Sequence, residues 1–296
     1  MTSSYMRVLF VAASLAWSLT SLTGMPSAVA APKQAKAPAP PAAPSIGAKT
    51  PGACNTKLLP IAIGNEWTYT PVRAPFDATE QIAKIAPPEP KKVVVTVKAI
   101  DKKGTDTVVT LDEVSTVDIS KDEKKPSLID RTITTTITCS KDKLDISPES
   151  ILFAGEPGGY LGMTVDKLDR KGDSWKLVNG GIGDQKWEED IVMQLSRQAT
   201  PGSDAKLTGA KLELERVFQP AQPEAVVSTL GRWTAEKLGL TTTGRVTLAD
   251  PAPDTKPAEL PAGWIAFIWL APQVGVVQLL NPYAHMYQLT DAKLNN

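Results

Sequence analysis

His285 is the only histidine in the chain. It stands in Tyr283-Ala284-His285-Met286-Tyr287, near the C-terminus. A Ser–His–Asp hydrolase would have to recruit it, yet no G-x-S-x-G turn is present to raise a serine out of a sheet. A Cys–His pair would need a free thiol at Cys54 or Cys139. Glu188-Glu189-Asp190 supplies adjacent carboxylates, and adjacent charges beside a strand read as a solvated edge. The stretch AGEPGGYLG, residues 154–162, is rich in glycine but lacks the Lys-Ser/Thr of a phosphate loop, so it reads as a pair of turns. Two cysteines and one histidine are too few ligands for a zinc site, and no metal or cofactor is expected. The chain therefore reads as non-enzymatic. The surviving enzymatic alternative is a hydrolase whose carboxylates are brought into a cleft by the fold.

The compartment decides how the cysteines are read. Arg7 precedes an apolar run from Val8 to about Leu22, and Ala28-Val29-Ala30 places small residues at −3 and −1. Residues 1–30 thus read as a secretory signal peptide, with a mature chain that begins at Ala31; Met6 as the true start would give a tidier charged region. The run is shorter than the roughly 20 apolar residues of a membrane span, and Ser14, Ser18 and Thr20 interrupt it. No later stretch is long and apolar enough to cross, so no transmembrane span is expected after processing. The expected location is exported, periplasmic or extracellular. Two cysteines in such a chain predict one disulfide, Cys54–Cys139. Gly52-Ala53-Cys54 also looks like a lipidation box, but a long Pro-rich segment separates it from the apolar run it would have to follow.

Charge narrows the partners. The chain carries 32 basic and 32 acidic residues, and removing residues 1–30 takes away Arg7 and no acid, leaving 31 against 32. A near-neutral chain without a basic run lacks the electrostatic footprint of a nucleic-acid binder, and the same absence argues against attraction to anionic membranes.

The elements that must position these residues are strands. Residues 31–53 are mostly Ala and Pro with scattered Lys, too poor in apolar bulk to offset their ordering entropy, and read as a disordered tether. Residues 54–296 read as an antiparallel β domain. KKVVVTVKAIDKKGTDTVVTLDEVS is a hairpin that turns at Gly104. In DRTITTTITCS, Ile133, Thr135, Ile137 and Cys139 face one way and Thr132, Thr134, Thr136 and Thr138 the other. KWEEDIVMQLS turns Ile191, Met193 and Leu195 inward. GAKLELERVFQP places Leu212 and Leu214 on one face, and its pattern slips at Arg216-Val217-Phe218 as at a β-bulge. EAVVSTLGRWTAEKLGLTTTGRVTL reads as strands broken at Gly231 and Gly244. GWIAFIWLAP, VGVVQLL and YAHMYQLTDAKL are the last strands. Convincing helices are few; the best is FDATEQIAKIAP, capped by Asp77 and ended before Pro87. The connections are too short for crossover helices, so the economical topology is antiparallel.

At LLPIAIGNEWTYTPV the chain resembles a group of exported bacterial proteins of unassigned function. They open with a G-N-x-W-x-Y box, here Gly64-Asn65-x-Trp67-x-Tyr69, and close with W-x-A-P-x-V-G-V-V, here Trp269-x-Ala271-Pro272-x-Val274-Gly275-Val276-Val277. A segment like TLGRWTAEKLGL lies between the boxes, and a final strand like Tyr287-Gln288-Leu289 follows. The resemblance spans most of residues 58–294. It implies a large curved antiparallel sheet, similar to the half-open β-barrels of periplasmic lipoprotein carriers, and it brings no catalytic residues.

Within the opening box, Gly64 with Asn65 permits a tight turn, and Trp67 and Tyr69 face one side of a strand. Trp67 reads as a core anchor ahead of a ligand platform. Alternation puts Tyr283, His285 and Tyr287 on one face, where His285 packs between aromatic neighbours; the rival is that this face lines a groove. Trp67, Tyr69, Trp269, Tyr283, His285 and Tyr287 are therefore the candidate contacts for an apolar or amphipathic ligand such as a lipid. The alternative partners are other envelope proteins, met by sheet edges and an exposed patch.

Overall fold

Among the described residues, alternating sequence becomes thirteen strands. The computed structural model describes residues 46–48, 50, 52–78, 86–120, 125–141, 143–155, 164–172, 175–176, 181–198, 206–248 and 258–295. The strands are β1 (Glu66–Val72), β2 (Lys92–Lys103), β3 (Asp106–Asp118), β4 (Leu128–Cys139), β5 (Lys143–Ile146), β6 (Thr164–Gly172), β7 (Trp175–Lys176), β8 (Trp187–Gln198), β9 (Lys206–Ser228), β10 (Gly231–Leu248), β11 (Ala258–Ala271), β12 (Gly275–Leu280) and β13 (Met286–Lys293). They form one sheet in the order β6-β8-β9-β10-β11-β12-β13-β1-β2-β3-β4-β5-β7. Every neighbouring pair is antiparallel. The sheet does not close into a barrel. Its two end strands, β6 and β7, are neighbours in sequence and are not paired with each other.

This is the mainly β antiparallel sheet expected from the alternation, in the open, curved form that the resemblance implies. Among the described residues the helical content is one 3-10 turn, Ile151–Phe153. The expected signal peptide, most of the expected tether, residues 79–85 of the expected FDATEQIAKIAP helix and residues 156–162 of the glycine-rich stretch lie outside the described residues. No helix of the described residues is long and apolar enough to cross a membrane.

The inner face is a packed core. Leu238, Ile268, Leu279 and Tyr287 are paired neighbours across four strands and are all buried. The concave side is filled by the chain itself. Leu58, Leu59 and Ile61 come from the segment before β1, and Ile151, Leu152 and Phe153 from the 3-10 turn. Phe153, Trp175, Phe218 and Trp187 then stack edge-to-face and face-to-face in sequence. Contacts with the sheet begin before Cys54: Ala48 is buried and donates its N–H to Gln273 C=O, and Ala53 donates to Ile61 C=O.

Three expectations are corrected. No bulge occurs at Arg216-Val217-Phe218, where the register to β10 runs unbroken from Arg216↔Thr242 to Phe218↔Leu240. The pattern holds because Arg216 itself points inward and is buried beside Leu214 and Phe218. Gly244 does not break a strand, since β10 runs through it. A Cβ at this position would lie 2.1 Å from Glu213 O, so glycine is what lets the two backbones approach. The last strand begins at Met286, not Tyr283. Residues 281–285 form a turn that closes through Ala284 N–H to Asn281 C=O, with Ala284 at φ 62°.

Candidate functional site

The structure distributes the six candidate ligand contacts over three places. Trp67 and Tyr69 lie on the inner face of β1 and are buried. Trp67 Nε1 donates to Val274 C=O at 2.6 Å, and Tyr69 Oη donates to Val276 C=O at 2.8 Å. The opening box thereby binds the closing box. Gly275 makes the contact fit: at φ 103° a Cβ would meet the Trp67 indole at 3.1 Å. Asn65 works beside them, donating from Nδ2 to Pro60 C=O at 2.5 Å and accepting from the Asn295 N–H at 2.7 Å. It fastens the C-terminus to the start of β1.

Trp269 is on the other face. It pairs with Lys237 and Gln278, the outer row, and its Nε1 donates to Glu224 at 2.8 Å while Lys237 Nζ sits 5.1 Å over its ring. Tyr283 and His285 belong to the turn before β13, with ring centroids 6.2 Å apart. Asn281 Oδ1 accepts the N–H of both. Burial holds the His285 imidazole pKa below its ordinary value, and its Nδ1 is buried with no hydrogen-bond partner among the described residues. Tyr287 lies on the inner face with its hydroxyl buried and likewise unpartnered; burial, then Glu89, raise its pKa. The six do not line one groove.

Cys54 and Cys139 are joined, with Cα atoms 5.4 Å apart. The bond ties the segment before β1 to the end of β4.

The polar site that sequence reasoning missed is at the ends of the sheet. Glu189 is not part of a solvated edge. It is buried, with Oε1 2.8 Å from Arg216 Nη1 and Oε2 3.5 Å from Arg170 Nε. Arg170 on β6 reaches across to β5, donating to Asp145 at 3.1 Å and to Ile146 C=O at 2.7 Å. Arg216 also lies 5.0 Å over the Phe218 ring. Nearby, Glu149 has a buried Oε2 without a hydrogen-bond partner among the described residues. Its burial raises the carboxyl pKa, against the pull of Arg170 and Arg216. An open groove of about 450 Å³ runs alongside, lined by Thr136, Lys143, Asp145, Ser147, Arg170 and Lys171 among others. The signal was in the alternation, for Glu189 stands two residues before inward Ile191 and Arg216 two after inward Leu214.

Glu113 was missed in the same way. It alternates with Val109 and Leu111 and is fully buried. Its carboxylate accepts from Thr135 Oγ1 at 2.5 Å, Ser150 Oγ at 2.6 Å and the Leu152 N–H at 2.9 Å. Desolvation nevertheless raises its pKa, the hydrogen bonds opposing it. It pins the 3-10 turn to the sheet.

No family model matches the chain, and no curated protein matches it. Two solved structures are similar. One is a Bacteroides fragilis protein described as exported and of YmcC-like fold, with 14% identity and a TM-score of 0.41. The other is a Parabacteroides distasonis protein described as a lipoprotein, with 13% identity and a TM-score of 0.46. Each alignment covers 80% of this chain and 99% of the other.

Proposed function

We propose that this chain is an exported, non-enzymatic envelope protein that acts through its outer surface and strand edges as a protein-interaction module. The observation that carries this reading is the filled concave face. Trp67 and Tyr69 spend their polar atoms on the backbone of the closing box, and Leu58, Leu59, Ile61 and Phe153 occupy the space a carrier would keep for a lipid. The disulfide supports an oxidising compartment.

Native mass spectrometry of the mature protein from its own source tests the reading. The expected result is the bare polypeptide mass, with in-cell cross-links to other envelope proteins. A stoichiometric co-purifying lipid would overturn it and restore the apolar-ligand reading. A second reading rests on Glu149, whose buried carboxyl with a raised pKa beside a groove has the profile of a general acid. A hydrolytic activity abolished by Glu149→Gln, with the fold intact, would establish that reading instead.

A further inference from the structure

Among the described residues, most of β4 has a neighbour on one side only. β3 pairs with it along its length, from Asp118↔Leu128 to Thr107↔Cys139, whereas β5 pairs only with Ile137, Thr138 and Cys139. Ser147 ends that short ladder. Its N–H donates to Thr136 C=O and its Oγ accepts the Thr136 N–H, both at 2.9 Å. The chain then turns into the core at Ile151.

Antiparallel ladders alternate, so successive residues turn their N–H and C=O groups to opposite sides. Ser140 and Thr136 bond toward the β5 side. Leu128, Asp130, Thr132 and Thr134 share that parity, and their backbone groups point outward with no backbone partner among the described residues. Of the devices that guard natural edges, Pro, Lys and a bulge are absent from residues 128–135, and the one present is the inward-pointing charge of Arg131, which admits only a strand that answers it. Two side chains on the outer face are already held: Asp130 accepts from Thr116 Oγ1 at 2.6 Å, and Thr134 Oγ1 donates to Asp112 at 3.0 Å.

We propose that Leu128–Thr134 is a docking edge for an extended segment of another protein, which adds antiparallel to β4 with an acidic residue opposite Arg131 and a basic residue opposite Asp130. The proposal rests on the interaction reading above. Charge selects the occupant. Arg131 is half-buried between Ile129 and Ile133 on the inner face and has no ion pair among the described residues. A partner strand would therefore present apolar, acidic and apolar residues at alternate positions on that face.

A second copy of this chain fits poorly. The antiparallel register that matches 128 with 134 and 130 with 132 sets Arg131 against Arg131. Matching 128 with 132 sets Asp130 against Asp130. Like charges directly opposite are destabilising. Registers displaced the other way drive the partner into Ser147, which already holds Thr136. Residues 31–51 are no better suited, because proline cannot donate to a ladder.

The probe is the capped peptide Thr-Val-Thr-Glu-Lys-Val-Thr at millimolar concentration, added to the full mature chain, with a control in which its Glu and Lys are exchanged. Amide exchange by NMR should show at least tenfold added protection at Leu128, Asp130, Thr132 and Thr134. Ile129, Arg131 and Ile133, already bonded to β3, should not change. The control peptide should bind several-fold more weakly, and Arg131→Glu should shift the preference toward it. Thr132→Pro removes an outward N–H without touching the β3 ladder, and should abolish protection at an unchanged melting temperature. Absent or uniform protection, equal binding of the two peptides, or self-association of the chain through this edge would overturn the proposal. Cross-links mapped elsewhere on the surface would then leave the interaction reading standing, whereas a co-purifying lipid would remove that reading itself.

Discussion

The middle of the sheet and its ends solve the burial of polar groups differently. Around β13 and β1 the ladder is continuous and the buried polar side chains are neutral, and the one buried carboxyl nearby, Glu113 opposite Val95 of β2, is held by neutral donors. Asn65, Trp67 and Tyr69 each find a backbone partner. At the ends, β6 and β5 are not paired, and Arg170 crosses between them to reach Asp145 and the Ile146 carbonyl. Behind that arginine lie Glu189 and Arg216, a buried ion pair. Where backbone hydrogen bonding stops, charged side chains span the gap. The opening and closing boxes are thus held by neutral hydrogen bonds, whereas the gap between β6 and β5 is spanned by a charged side chain backed by the cross-strand pair Glu189–Arg216. The ends should therefore be more sensitive to losing a single partner.

The largest expected effect comes from the bond that joins the two regions. Cys54 and Cys139 are separated by 85 residues in sequence, and the chain-entropy model gives on the order of 4–5 kcal/mol for such a loop, an upper figure. Against a folding stability of roughly 5–15 kcal/mol this is substantial. Reductant should lower the melting temperature, and amide protection should be lost from β4 and β5 before it is lost from β13 and β1. Non-reducing peptide mapping that returned two free thiols would remove the basis for this expectation.

The ion pair should come next. Glu189→Gln leaves Arg216 buried without its counter-charge and should cost about 3–5 kcal/mol in denaturant melts. Replacing both partners, Glu189→Leu with Arg216→Met, should recover most of that loss, because it also removes the desolvation penalty. In the continuous region, Tyr69→Phe removes one neutral hydrogen bond to Val276 and should cost only about 1 kcal/mol. If Glu189→Gln cost no more than Tyr69→Phe, the contrast between the regions would fail.

Much of the sheet was legible in the sequence because strand alternation is local. The Thr-rich strand showed its faces directly, and Ile137 and Cys139 are buried where Thr134 and Thr136 are exposed. The ion pair was not legible because charged side chains ordinarily face solvent. Glu189, Arg216 and Glu113 obey the alternation, and only their chemistry spoke against the inner face. The supposed bulge at Arg216 came from trusting residue type over period. Trp269 shows the reverse: a large aromatic offered as a ligand contact lies on the outer row, shielded by Lys237 and Glu224. What the sequence hid was which strands meet at the ends, since β6 pairs with β8 past the intervening β7 and Arg170 reaches back to Asp145 on β5.

The smallest effect is expected at His285, and its sign can be worked out. In the folded chain burial lowers the imidazole pKa below its ordinary 6.5, with Glu89 pulling the other way. The unfolded chain thus binds a proton at a pH where the folded chain does not. Stability is full above the unfolded value and is lost as pH falls through 6.5 toward the folded value. His285→Gln removes this dependence while the Asn281 side chain still holds the turn through backbone N–H groups. The wild type should therefore lose more stability than the variant between pH 7.5 and 5.5, by less than about 1.4 kcal/mol, the equivalent of one unit of pKa. Urea midpoints for both proteins at the two pH values measure the difference. Parallel losses would mean that His285 titrates alike folded and unfolded, and the turn would then be far more open to water than its packing implies.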